Sequence, residues 1–540
     1  MRRLAACLSL AVGLTAAAIA VPGSTATIAS FTPSFTESEH TIAGAPGPSP
    51  SAPDPRHCSG TGGSCLLAAT LFLPDPLPAS PVPAILMQHG FPGDRQVDYV
   101  RRAAELYASE GYAVLSWDAR GFGSSQGYVM LDSPAHEGAD VSLLIDWLAA
   151  RSEVALDAPG DPRVGMYGQS YGGGIQFLAA ALDDRVDVLV ARESWHSLVD
   201  SLAPNGIIKA QWVSLLYAAG QAFTEGHLAP ELTEWLSRVY ATNEVPADVA
   251  AELHARSHAA YHGQVDIPTF LLQGERDTLF NLTEASRNLA AVAATGAQTK
   301  LFWYWGGHGG YANYPGGVNR TWTPTDLMES RQLAWLDRYL GGDTTVDTGP
   351  MFEYFDEHGV LQSMGRAPKL VGQTLTLGAG GEVAVKPVGR ACPPTGAPTC
   401  SYTEASNFSS PGQPGDVEPS DVPGTFVALD TAPLTSSMKV VGDPRATIEV
   451  TTATGQDVSL FLKVFDVDAL GNATLINRLV TPLRASSGTT HTIDLAGFAH
   501  TFEVGHRLRL VVATTDAAYF GTDLADIVTL SAPVTLQLAR

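Results

Sequence analysis

The sequence predicts an α/β fold built on a mostly parallel sheet and followed by an all-β region. Three observations carry that reading. Short apolar runs alternate with helical stretches from Leu66 to beyond Gln176, the pattern of a sheet with helices on both faces. Over residues 194–263 the alternation gives way to a helical, aromatic segment holding Trp195, Trp212, Tyr217, Phe223, Trp235 and Tyr240. Past Gly349 the texture changes to short alternating strands separated by Gly, Pro and Asp, which reads as a β-sandwich.

The N-terminus begins with Arg2-Arg3, an apolar run over residues 4–20 and small residues at Ala18-Ile19-Ala20 and Ser24-Thr25-Ala26. That order predicts an export signal over residues 1–26, whose removal leaves no membrane anchor and a secreted protein. Residues 27–57, rich in Pro, Ser, Thr and Gly, read as a flexible leader. The first α/β unit is expected over residues 58–348 and the β-rich unit over 349–540.

Without Cys7 the chain has two close cysteine pairs, Cys58 with Cys65 and Cys392 with Cys400, which predicts two local disulfides in an exported protein. Their spacings do not match zinc sites, so no metal is expected. A net charge of −23 with 16% charged residues and no basic block excludes nucleic-acid binding. The expected partner is a small-molecule or peptide substrate, and the oligomeric state is left open.

Chemistry enters at residues 163–174, RVGMYGQSYGGG, where a strand-like run turns through glycines into the apolar helical stretch 175–182. Gly on both sides of Ser170 permits the strained strand-to-helix turn of a nucleophile elbow. Gly123-Ser124-Ser125-Gln126-Gly127 fits the same pattern, but no apolar helix follows it, so Ser125 reads as a loop residue.

A serine hydroxyl needs a base, and the base an orienting acid. The buried run 268–274 ends at Glu275-Arg276-Asp277, where Asp277 is the better placed carboxylate and Glu275 the reserve. The run 301–305 then delivers His308 between glycine pairs. Ser170, Asp277 and His308 follow one another at the ends of strand-like runs, each on its own turn. An oxyanion hole is expected from the N–H of Tyr171 and that of Phe91, the latter in His89-Gly90-Phe91-Pro92-Gly93 after the run 82–88.

These residues resemble the X-Pro dipeptidyl-peptidase and cocaine-esterase group of serine hydrolases. The resemblance rests on Gly168 to Gly174, on Asp118-Ala119-Arg120-Gly121-Phe122-Gly123-Ser124-Ser125, and on Ala139-Asp140 before the helix 141–150. The Asp277 and His308 sites and the β-rich tail add to it, so that it covers roughly residues 66–540. It implies hydrolysis of amides or esters through an acyl-enzyme, without a cofactor. It also implies an α/β-hydrolase core, a helical cap at about 194–263 and a C-terminal jelly-roll, galactose-binding-like domain.

One departure matters. A tyrosine hydroxyl usually completes the oxyanion hole of this group where Phe91 stands here, and a phenyl ring cannot donate. The resemblance favours dipeptidyl-peptidase-like chemistry, whereas Phe91 favours a carboxylesterase or lipase-type enzyme. A third, non-catalytic reading is a surface or glycan-binding protein acting through its β-sandwich. No motif announces a site for a free α-amino group. Glu193, Glu225, Glu231 and Glu234 are carboxylates able to hold an amine, but each reads first as part of a solvated face. Asp466-Val467-Asp468 with Gly471 hints at a calcium loop, yet Leu470 and Asn477 stand where oxygen ligands are needed, so it reads as a turn.

Overall fold

Runs that are apolar throughout, rather than alternating, form strands buried on both faces, as parallel strands covered by helices must be. The computed structural model describes residues 34–311, 324–378, 380–385, 421, 423–516 and 518–540. Its central sheet holds β1 (Phe35–Pro46), β2 (Ser64–Pro74), β3 (Ala84–Gln88), β4 (Ala113–Trp117) and β5 (Val164–Gln169). It continues with β6 (Val186–Arg192), β7 (Thr269–Gly274), β8 (Thr299–Tyr304), β9 (Phe352–Phe355) and β10 (Leu361–Met364). The order across the sheet is β1-β2-β4-β3-β5-β6-β7-β8-β9-β10. β1, β2 and β4 pair antiparallel, β4 through β9 run parallel, and β10 returns antiparallel.

Helices α1 (Asp98–Ser109), α2 (Ala139–Ala149) and α3 (Tyr171–Leu182) connect the first strands. Between β6 and β7 the chain leaves the sheet for the short helix α4 (Leu198–Leu202), then α5 (Ala210–Phe223), α6 (Pro230–Thr242) and α7 (Ala247–Ala255). These form the cap. Helices α8 (Leu282–Ala293) and α9 (Pro324–Tyr339) complete the layers. α2, α3 and α8 bury Leu144, Ile175 and Leu289 on one face of the sheet, and α1 and α9 bury Tyr107 and Trp335 on the other.

The expected flexible leader does not hold over its described part. β1 pairs with β2 from Phe35 opposite Pro74 to Pro46 opposite Ser64. Few of its side chains are apolar, so composition hides it, and its anchor lies far away in sequence. The Ala45 N–H donates to Asp140 Oδ1 at 2.7 Å, and Arg120 Nη2 donates to the Ala45 carbonyl at 3.2 Å. Arg120 and Asp140 form a bidentate pair, both bonds 2.7 Å, with Arg120 at 0% exposure. Cys58 and Cys65 form a disulfide, whereas Cys392, Cys400 and residues 1–26 lie outside the described residues.

The C-terminal region is all-β and antiparallel. One five-stranded sheet centres on Asp526–Ala539 and Arg445–Thr452, the other on Val458–Val467 and Arg507–Ala513, with Ile448, Leu460, Leu510 and Leu536 buried in the core they share. The Asp468 turn is an ordinary one, its Oδ1 accepting from the Leu470 and Asn472 N–H groups at 2.8 Å. This region also grips the cap. Phe520 N–H donates to the Ile208 carbonyl, Gln211 N–H to that of Ala518, and Arg484 to the carbonyls of Gly206 and Asn243.

A buried charge that loses its partner costs far more than the pair itself contributes. Asp140→Ala, which strands Arg120 and unties β1, is therefore expected to lower stability by about 3–5 kcal/mol in urea unfolding followed by circular dichroism. A loss under about 1 kcal/mol would place the pair among the weak surface bridges instead.

Candidate active site

The turn at Ser170 is dictated by how closely α3 approaches the end of β3. A Cβ on Gly172 would lie 2.0 Å from the Gln88 carbonyl oxygen, and one on Gly168 2.4 Å from that of Gly172. Only glycine fits either place. Ser170 itself takes φ +57°, a left-handed conformation that a non-glycine residue adopts at a cost of about 1–3 kcal/mol. Its N–H is held by the Arg192 carbonyl at 2.9 Å, and its carbonyl accepts from the Gly173 and Gly174 N–H groups as α3 begins. The strain points Oγ out of the sheet, at the head of a helix.

Two further turns converge there. His308, after β8, places Nε2 2.8 Å from Ser170 Oγ and Nδ1 2.8 Å from Asp277 Oδ2. Asp277, after β7, is fully buried, and its Oδ1 accepts the Leu279 and Phe280 N–H groups at 2.8 and 2.9 Å. Gln273 Nε2 donates to Oδ2 at 3.0 Å. Lys209 from the cap, also buried, donates to the carbonyls of Thr278 and Leu279, clamping the same turn, and burial pushes its ammonium down to about 8. The rings of Phe280 and Trp212 stand edge-on to the imidazole at 5.1 and 5.6 Å. Burial works against an imidazolium at His308, but the charge and hydrogen bond of Asp277 outweigh it and lift the group above the ordinary 6.5.

The turn after β3 lies against Ser170, since a Cβ on Gly90 would come within 3.6 Å of Ser170 Cβ. Phe91 sends its ring into the cap, edge-on to Phe122 and Tyr171 at 5.4 and 5.9 Å. Gly220 of α5 makes room for it, a Cβ there falling 2.5 Å from Phe91 Cζ.

The profile of the X-Pro dipeptidyl-peptidase (S15) family matches residues 62–310, and that of the X-Pro dipeptidyl-peptidase C-terminal non-catalytic domain matches 373–527. The chain belongs to this family. Its fold is that of an α/β serine hydrolase with an all-β C-terminal domain. A solved α-amino acid ester hydrolase superposes with a TM-score of 0.65 at 15% identity, covering 94% of this chain and 97% of that one. A CocE/NonD family hydrolase from Staphylococcus aureus does so with a TM-score of 0.60 at 12% identity, covering 93% and 94%. At these identities the likeness concerns the fold. Among curated sequences, an uncharacterized 31.7 kDa Escherichia coli protein of the traX-finO intergenic region is 36% identical over 110 residues, 20% of this chain. The match spans 36% of that relative's length.

The space beside Ser170 is almost wholly apolar. A cavity of about 170 Å³ opens between Ser170 and the cap, walled by Phe91, Leu198, Leu216, Leu232, Trp235, Val249 and Phe280 among others. Among the described residues, only Ser170, Tyr171 and Tyr217 bring hydroxyls to its lining, and no charged side chain lines it. Of the cap aromatics, Trp195, Tyr217 and Trp235 face the cavity, Trp212 packs on His308, Tyr240 packs on Phe520, and Phe223 is exposed.

The remaining expected residues separate. Ser125 is buried, its Oγ donating to the Asp118 carbonyl and accepting from the Ala68 N–H, so it is structural. Glu275 has no contact with His308. Its carboxyl is buried near Glu357 and Asp356, and desolvation holds it well above its usual range. Glu225 and Glu234 are exposed and Glu231 half-buried, all three outside the cavity. Glu193 departs from its reading as a solvated face: it is at 0% exposure with Oε2 3.9 Å from His308 Nδ1. The signal was its place directly after the apolar run of β6, where a charged residue enters the ring of strand-end turns. Glu193, Asp277 and His308 offer ligand atoms within 4.8 Å of one another. Both imidazole nitrogens are already engaged by Asp277 and Ser170, so a cation would have to break those bonds.

A base must be neutral to accept a proton, so activity resting on His308 falls as pH drops through its raised value. The acid limb of kcat/KM is expected above pH 6.5 and is expected to move down in Asp277→Asn. A limb that stays in place on that substitution would remove Asp277 from the site.

Proposed function

We propose that this protein is a secreted carboxylic-ester hydrolase that forms an acyl-enzyme at Ser170 and takes substrates with an apolar acyl group. His308 Nε2 accepts the Ser170 proton as Oγ attacks the carbonyl, and Asp277 keeps Nδ1 protonated and the ring oriented. The N–H groups of Tyr171 and Phe91 receive the oxyanion. His308 then returns the proton to the departing alkoxide, and water repeats the sequence to release the acid. Export is supported by the N-terminal apolar run and by the Cys58–Cys65 disulfide.

The observation that carries the ester reading is the apolar cavity. A dipeptidyl-peptidase must hold the substrate's ammonium, and desolvating that charge with no carboxylate opposite is strongly unfavourable. An acyl chain meets the reverse condition, because each buried methylene contributes about 0.8 kcal/mol. A dry apolar cavity of roughly 150 Å³ suffices for a benzene-sized guest, and this one is of similar volume.

With p-nitrophenyl esters of increasing acyl length, kcat/KM is expected to rise by up to about fourfold per carbon until the cavity is full, then level off. Ser170→Ala is expected to remove the activity by about 10⁴-fold or more. Leu216→Asp, which puts a charge into the wall, is expected to depress long esters while sparing the acetyl ester. Faster turnover of an X-Pro-p-nitroanilide than of any ester would reverse the assignment in favour of the peptidase.

A further inference from the structure

We propose that Glu193 is a positioning residue for His308, a second buried carboxylate that shares with Asp277 the support of the imidazolium and ties the base turn to the nucleophile turn. The proposal rests on the Ser170–His308–Asp277 reading above. It starts from topology: β6 lies between β5 and β7, so the first residue after β6 falls between the turns that carry Ser170 and Asp277.

Glu193 takes φ +48°, left-handed for a residue with a side chain, which turns its carboxylate inward. Oε2 accepts from Gln169 Nε2 at 2.5 Å and from the Gly309 N–H at 2.9 Å. Gln169 immediately precedes the nucleophile, and Gly309 immediately follows the base. Oε1 accepts from the Tyr304 hydroxyl and lies 3.8 Å from Arg192 Nη2. The amide, N–H, hydroxyl and guanidinium around it all turn donors toward its two oxygens. That charge sits 3.9 Å from the same nitrogen that Asp277 holds at 2.8 Å.

The charged groups facing His308 are Asp277 and Glu193, which favour its protonated form, and Arg192, which opposes it; Lys209 stands behind the Asp277 turn. The hydroxyls of Tyr304, Tyr99 and Tyr167 complete the titratable surroundings of Glu193. Two consequences follow. Removing the Glu193 charge must lower the pH at which His308 becomes a base. Removing Asp277 must leave a carboxylate near enough for Nδ1 to turn to.

The test uses the full chain and p-nitrophenyl ester hydrolysis as a function of pH, with folding of each variant checked by circular dichroism. Ser170→Ala comes first, since activity surviving it would sink the triad reading itself. With that arm lost as expected, Glu193→Gln is expected to move the acid limb of kcat/KM down by about half a unit or more, with KM changed less than about twofold. Glu193→Asp, which keeps the charge, is expected to hold the limb nearer the wild-type position. Asp277→Ala is expected to lose about 10- to 100-fold, against about 10⁴-fold for a triad whose acid has no understudy, and adding Glu193→Gln is expected to remove the remainder. An unmoved acid limb in folded Glu193→Gln overturns the proposal. So does an Asp277→Ala enzyme that falls to the Ser170→Ala level, an arm that decides alone where Glu193→Gln does not fold.

Discussion

The contact on which the rest depends is the approach of α3 to the end of β3, where Gly172 meets the Gln88 carbonyl at a distance no Cβ permits. That approach forces Ser170 into a left-handed turn, aims its hydroxyl away from the sheet and places the N-terminus of α3 behind it. The sheet order then does the remaining placement. β5, β6, β7 and β8 are neighbours, and their ends deliver Ser170, Glu193, Asp277 and His308 to a single point. Strain at Ser170 is tolerable because the helix, the Arg192 carbonyl and the packed sheet together over-determine the turn.

Above that point the electrostatics are local and buried. Asp277 is satisfied by two backbone N–H groups and Gln273, Glu193 by Gln169, Gly309 and Tyr304, and Lys209 by two carbonyls of the Asp277 turn. Charge in a dry site needs such partners, and it acts more strongly there than in water. Next to this charged cluster the cavity walls are almost wholly hydrocarbon, so polarity changes abruptly at Ser170.

The C-terminal domain bears on the site through the cap. Its strands carry none of the three groups at Ser170, yet its backbone bonds to residues 208 and 211, the Arg484 guanidinium on the Gly206 carbonyl and the packing of Phe520 on Tyr240 fix the cap helices. Ile207 is buried among Phe461, Phe465 and Val511 of the β-sheet. The cavity therefore has one wall on the hydrolase sheet and another held from the second domain, and its shape depends on both.

What the sequence by itself determined is what short-range sterics and chain order determine. The glycines around Ser170 are needed locally, the apolar runs declare buried strands, and Ser170, Asp277 and His308 follow one another at strand ends. The rest was decided in three dimensions. β1 is legible only once Arg120 and Asp140 reach Ala45 from far along the chain, because a polar strand differs little in composition from a leader. Glu193 at a strand end reads alike whether it faces water or His308, and the sheet order decides which. The cap aromatics could equally have filled a core or walled a void, since both bury the same side chains. That choice depends on how helices pack against a domain more than two hundred residues away, and no local pattern encodes it.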